Sequence, residues 1–118
     1  MEKTILIDGK EIKLKSTGAT PLRYKAQFGK DFFVEIAKME RLNGRKGSIE
    51  LESIDFEVFY NLAWLFAKTA NKDIPALMEW LDTFDSFPVE DVMGEIMELV
   101  TACISTKKNK RRLRWGFQ

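Results

Sequence analysis

The chain has no histidine, one cysteine and three prolines in 118 residues. Without histidine it lacks the commonest general base and the imidazole metal ligand, and the histidine-dependent catalytic triads are excluded. The one cysteine, Cys103, can form neither an intramolecular disulfide nor a cysteine-based zinc site. It falls on the apolar face of a predicted helix, the position of an inert buried thiol rather than a nucleophile. No signal peptide and no apolar run long enough to span a bilayer is present, so a soluble, intracellular protein is expected. No internal repeat is visible. The glycines of Asn43-Gly44-Arg45-Lys46-Gly47-Ser48 flank basic residues, but no strand precedes them and no GK[ST] ending follows. They read as a polar surface loop, not a phosphate cradle.

Carboxylates are present but scattered. Asp82 and Asp85 stand around a helix end, and Asp91 and Glu95 are four apart on an exposed helical face. Such pairs are ordinarily solvated surface, and nothing in their surroundings points to a raised carboxyl pKa. No catalytic, cofactor-binding or metal-binding residue is assigned, and an enzyme is not expected.

What the chain does have is apolar and aromatic content, 45% and 12% of its residues, which argues for a folded protein with one core. The net charge of +1 hides an asymmetry. Lys107, Lys108, Lys110, Arg111, Arg112 and Arg114 fall in residues 107–118 with no acid among them. Residues 1–106 hold 13 basic groups against 18 acidic ones, a net of −5. The division is therefore a single globular domain over 1–106 and a basic, mobile tail over 107–118, since blocks of like charge repel.

Thr4 to Leu14 reads as a β-hairpin, within 3–15, turning at Asp8-Gly9, because a type I′ turn needs two residues that accept positive φ. That turn sets Ile5 opposite Ile12 and puts Ile5, Ile7, Ile12 and Leu14 on one face, with Thr4, Glu11 and Lys13 on the other. The helical part spans 20–106. Thr20 as N-cap and Pro21 start a helix that Gly29 stops. Asp31 caps a second, from Phe32 to about Leu42, with Phe32, Phe33, Ile36, Ala37 and Met39 as its apolar positions. Asp73 is placed to cap a short helix carrying Leu77, Trp80, Leu81 and Phe84. Pro88 opens the last, whose apolar face holds Val92, Met93, Ile96, Val100 and Cys103.

Between these lies Ser53 to Asn71, with Ser53 as N-cap, Asp55 and Glu57 in the first turn and Asn71 as a left-handed stop. Phe56, Phe59, Tyr60, Ala63, Phe66, Ala67 and Ala70 make one apolar stripe; Val58, Leu62 and Leu65 make a second. A helix apolar on two sides is buried among its neighbours. The fold class expected is mainly α, of the α+β kind: an N-terminal hairpin followed by about five helices packed round this central one.

Glu57, Asn61, Trp64 and Lys68 share the remaining strip. A tryptophan there points to a protein contact involving Asn61, Trp64 and Lys68, since tryptophan is enriched at interface hot spots. The other reading is that the hairpin or the tail covers it. Met93 and Met97 on the last helix offer an adaptable surface or simply core. The tail, with Trp115 and Phe117 among its cations, suits phosphate contact and base stacking; a small nucleic-acid-binding protein is the alternative function.

The hairpin with Asp8-Gly9, the run Ala19 to Asp31, the stretch Ala63 to Ala70 and the stretch Glu79 to Phe84 together resemble a known family. Its most specific pieces are Thr20-Pro21, Tyr24, Phe28-Gly29 and Asp31, and then Trp80-Leu81-Asp82. The chain looks like the tail assembly chaperones of long-tailed phages and prophages of Gram-positive bacteria, over roughly residues 3–106. The resemblance implies a non-enzymatic protein that keeps the tape measure protein soluble and helps recruit the major tail protein. It implies self-association and residence in the bacterial cytoplasm but not in the finished virion; no cofactor and no membrane partner are expected, and nucleic acid is the less expected partner. It also implies that a frameshifted longer product accompanies this short form in many members.

Overall fold

The hairpin forms as its turn chemistry dictates. In the computed structural model, which describes residues 1–44 and 56–105 (side chains of 39–44 excepted), β1 is Glu2–Ile7 and β2 is Lys10–Lys15. Asp8 and Gly9 take φ of 55° and 77°, both positive as a type I′ turn demands. The strands are antiparallel with Ile5 opposite Ile12 and Ile7 opposite Lys10. Ile7 and Leu14 are fully buried and Ile5 and Ile12 half-buried, so one face of the hairpin is core. Leu6, on the other face, stays exposed.

Among the described residues five helices follow: α1 Thr20–Phe28, α2 Phe32–Gly44, α3 Glu57–Ala70, α4 Leu77–Leu81 and α5 Val89–Ile104. β2 lies against α3, and β1 reaches α5. α3 is the centre. Val58, Phe59, Leu62, Ala63, Leu65, Phe66 and Ala67 are all buried, which leaves no apolar side of this helix to solvent. Ile96, Leu99 and Val100 of α5 close the core from one side. Trp80, Phe84 and Phe87 close it from another, in edge-to-face contacts with centroids 5.3–6.0 Å apart.

Helix ends show where sequence signals are obeyed and where they are replaced. Gly29 ends α1 in the left-handed conformation at φ 72°, and the Asp31 carboxylate accepts the N–H groups of Phe33 (2.9 Å) and Val34 (3.2 Å). Thr20 differs from expectation. It is the first residue of α1, fully buried, and its hydroxyl accepts the N–H of Thr17 (3.0 Å) in the preceding turn instead of capping the helix. Asn71 differs too, with an extended backbone at φ −147°. Its side chain accepts the Asp73 N–H (2.9 Å), while the Lys68 ammonium donates to the carbonyls of Lys72 (2.9 Å) and Ile74 (2.6 Å). These bonds fix the chain beyond the helix without a left-handed residue. The N-cap of α4 is Ala76, not Asp73, and α4 stops at Leu81, short of Phe84. α2 runs to Gly44, two residues past its expected end. Ser53, Asp55 and residues 45–48 lie outside the described residues, as does the tail from 106 onward.

The hairpin is also tied to the far end of the chain. Asp8 Oδ2 accepts the N–H of Asp85 (2.9 Å), and the Lys10 ammonium donates to the Thr83 carbonyl while standing 5.2 Å over the Phe84 ring. Lys3 pairs with Glu95 and Glu98 of α5. Those carboxylates hold the Lys3 pKa above its ordinary value, chiefly through the hydrogen bond to Glu95 and then that to Glu98.

Candidate functional site

The surface expected around Trp64 is not a surface of the folded chain. Trp64 is 5% exposed and Asn61 3%. The Trp64 indole N–H donates to the Pro75 carbonyl (2.7 Å), and its ring meets Phe28 edge-on at 6.0 Å. The segment after α3 folds back over the strip that helical geometry left polar, so Trp64 is core. Lys68 stands beside it, half-buried and spent on the Lys72 and Ile74 carbonyls. Met93 and Met97 are half-buried against the core on α5. The structure therefore sets these residues in separate packing roles and does not gather them into one contact patch. The basic residues from Lys107 to Arg114 lie outside the described residues.

Asn61 instead belongs to a buried polar network. The Tyr24 hydroxyl donates to Glu35 Oε1 (3.3 Å), Asn61 Nδ2 donates to the Tyr24 oxygen (3.4 Å), and Lys38 donates to Glu35 Oε2 (3.1 Å). Tyr24 and Glu35 come from α1 and α2, and Asn61 from α3. Each buried polar group thus finds a partner on a different helix, which sets the α1–α2 pair on α3 in one register. Tyr24 also stacks against Phe28 (4.8 Å) and Phe32 (5.8 Å). Burial, foremost, pushes the Tyr24 phenol up to about 12.

That register decides what the α1–α2 pair shows to solvent. On α2, Phe32, Glu35 and Ile36 point inward, so Phe33, Val34 and Ala37 point out. Phe33 and Val34 are each 55% exposed. On α1, Thr20 and Tyr24 point inward, so Leu22 and Ala26 point out, with Leu22 74% exposed. Each outer face carries an apolar pair four residues apart, Phe33 with Ala37 and Leu22 with Ala26. Phe33 and Ala37, two of the apolar positions read for this helix, thus lie on its outer side and not with Phe32 and Ile36. The signal was legible: three successive apolar residues, Phe32-Phe33-Val34, sweep about 200° of a helix and cannot all face one way. Leu22, two residues from both Thr20 and Tyr24, is likewise on the far side.

Among the described residues no cluster of three or more histidine, cysteine, aspartate or glutamate side chains is placed to hold a metal ion. Cys103 is half-buried, its thiol donates to the Val100 carbonyl (3.3 Å), and burial pushes its pKa up from the ordinary value. Among the same residues no helix is long and apolar enough to cross a membrane. Comparison with known proteins finds no matching protein-family model, no matching curated protein and no matching solved structure.

Proposed function

We propose that this chain is a tail assembly chaperone that binds the tape measure protein of a long-tailed phage, keeps it soluble and helps recruit the major tail protein. Its role is binding, not catalysis, and it acts in the bacterial cytoplasm and leaves before the virion is complete. One observation carries the reading from the structural side: the outer faces of α1 and α2 present Leu22, Phe33 and Val34 to solvent on helices held rigidly from behind. Exposed apolar groups on a braced helix pair suit the packing of an apolar helix against them. A tape measure protein, long and helical with apolar faces, is a client of that chemistry. The family resemblance over residues 3–106 supports the same reading from the sequence side.

The test is co-expression with a phage tape measure protein. The wild-type chain is expected to hold the client in the soluble fraction and to co-purify with it. Replacing Phe33→Ser and Val34→Ser together should lower recovery at least about tenfold, the loss of one or two hot-spot side chains. The Asp31 cap bonds only backbone N–H groups there, so circular dichroism should stay unchanged. Equal recovery with the double variant would overturn the surface, and an insoluble client with the wild-type chain would overturn the function.

A further inference from the structure

A helix turns about 100° per residue, which fixes what borders the exposed apolar groups of α1 and α2. With Tyr24 pointing inward, Leu22 and Ala26 lie within about 20° of the opposite direction. Arg23 lies about 100° from Tyr24 on one side and Lys25 about 100° on the other. All four are exposed, so the apolar pair of α1 has a cation on each flank. On α2, Phe33, Ala37 and Val34 cover an arc of about 100°, and Lys38 stands at its edge. Lys30, in the link between the two helices, is exposed as well.

The acids of this stretch are committed elsewhere. Asp31 caps α2 through the N–H groups of Phe33 and Val34, and Glu35 is buried against Tyr24 and Lys38. Among the described residues no carboxylate pairs with Arg23, Lys25 or Lys30. Residues 20–38 hold four basic and two acidic groups, a net of +2. The rest of residues 1–106 holds nine basic and sixteen acidic groups, a net of −7. Exposed apolar side chains and unpaired positive charge thus coincide on a basic stretch of a body that is acidic in sum.

We infer that this face takes an amphipathic helix whose apolar stripe is bordered by aspartate and glutamate, and that this border selects which segments of a client are held. This selectivity rests on the client-binding reading given above. The apolar stripe of the incoming helix seats on Leu22, Ala26, Phe33 and Val34, and its carboxylates meet Arg23 on one side and Lys25 on the other. A helix with the same stripe and a basic border meets like charge in both places. A second copy of the chain fits less well, because its most acidic helix, α5, turns its apolar face into its own core.

Two synthetic helical peptides test this, sharing one leucine stripe at i, i+3, i+4 and i+7 spacing and bordered by glutamate in one and lysine in the other. Each is titrated into the full-length protein, and affinity is read by NMR from the amides of residues 22–26 and 33–37. At low salt the glutamate peptide should bind at least about fivefold more tightly, and the gap should narrow as salt rises. A full-length variant carrying Arg23→Glu and Lys25→Glu should erase or reverse the preference. Neither side chain bonds to another group among the described residues, so its fold should hold. A preference that survives this change, or shifts confined to other parts of the chain, would overturn the inference. Equal affinity for the two peptides would overturn it too, yet leave the client surface standing if Phe33→Ser with Val34→Ser weakens both. Failure of either peptide to bind would also overturn it, while recovery of the tape measure protein judges the function separately. A mass by light scattering that doubles with concentration in the wild type, and not in the serine variant, would give the face to a second copy and overturn it.

Discussion

Trp64 shows how one hydrogen bond converts a helix's polar strip into interior. Its ring sits against Phe28 and its N–H reaches the Pro75 carbonyl, so both the apolar body and the polar tip are satisfied within the fold. Trp64→Phe removes the N–H donor and one ring of the buried indole and should cost about 1–3 kcal/mol; Trp64→Ala empties the whole site and should cost about 3–5 kcal/mol. Urea unfolding of the two variants reads both values, and an alanine variant as stable as the wild type would return Trp64 to the surface. Tyr24 makes a second residue-level prediction. Its phenol is pushed up to about 12, mainly by burial, so the folded chain keeps that proton to higher pH than the unfolded chain does. The contribution is complete below about pH 10 and is lost as pH rises through about 12. The stability advantage of the wild type over Tyr24→Phe should shrink by on the order of 2 kcal/mol between about pH 9 and pH 12. A constant difference across that range would mean that the hydroxyl is solvated.

Among the elements, the hairpin was fully legible and the helices only in part. Asp8-Gly9, together with alternating isoleucines, specified turn, register and buried face, because each of these depends on residues no more than a few positions apart. The cap at Asp31 and the stop at Gly29 were legible for the same reason. What was lost depended on distant chain. Nothing near Trp64 in sequence announces that Pro75 will close over it, and nothing near Asn61 names Tyr24 as its partner or Glu35 as Tyr24's. Asn71 had a left-handed option that Lys68 made unnecessary. The hairpin also carries the prediction that belongs at this scale. Asp8→Ala loses both a residue tolerant of positive φ and the acceptor for the Asp85 N–H, and should cost about 2 kcal/mol. Asp8→Asn keeps both features and should cost under about 1 kcal/mol. Thermal melts of the pair should therefore separate clearly; equal melting would mean that the turn is not fastened to residue 85.

For the whole molecule, the decisive fact is that α3 faces core on every apolar side. β2, α1, α4 and α5 all pack on it, so none of them keeps a private core of its own. The domain should unfold as one unit. Circular dichroism reports the helices, and tryptophan emission, read in a Trp115→Phe background, reports Trp64 and Trp80, both buried. Their urea midpoints are expected to coincide, in the wild type and in Phe66→Ala, which should lose about 3–5 kcal/mol. Two separated midpoints would show that part of the chain folds independently of α3.

The pairing of Lys3 with Glu98 spans 95 residues, and the meeting of Asp8 with Asp85 spans 77. A ribosome adds about 5–20 residues per second, so the first strand exists for roughly 5–20 s before the carboxylates it will meet have been made. β2 meets α3 earlier, once the middle of the chain has emerged. The hairpin is thus made before every helix described and, along its outer strand, is the last to be enclosed. A ribosome that stalls ahead of Val89 would leave a nascent chain with a half-covered sheet, a binding edge for any strand that passes.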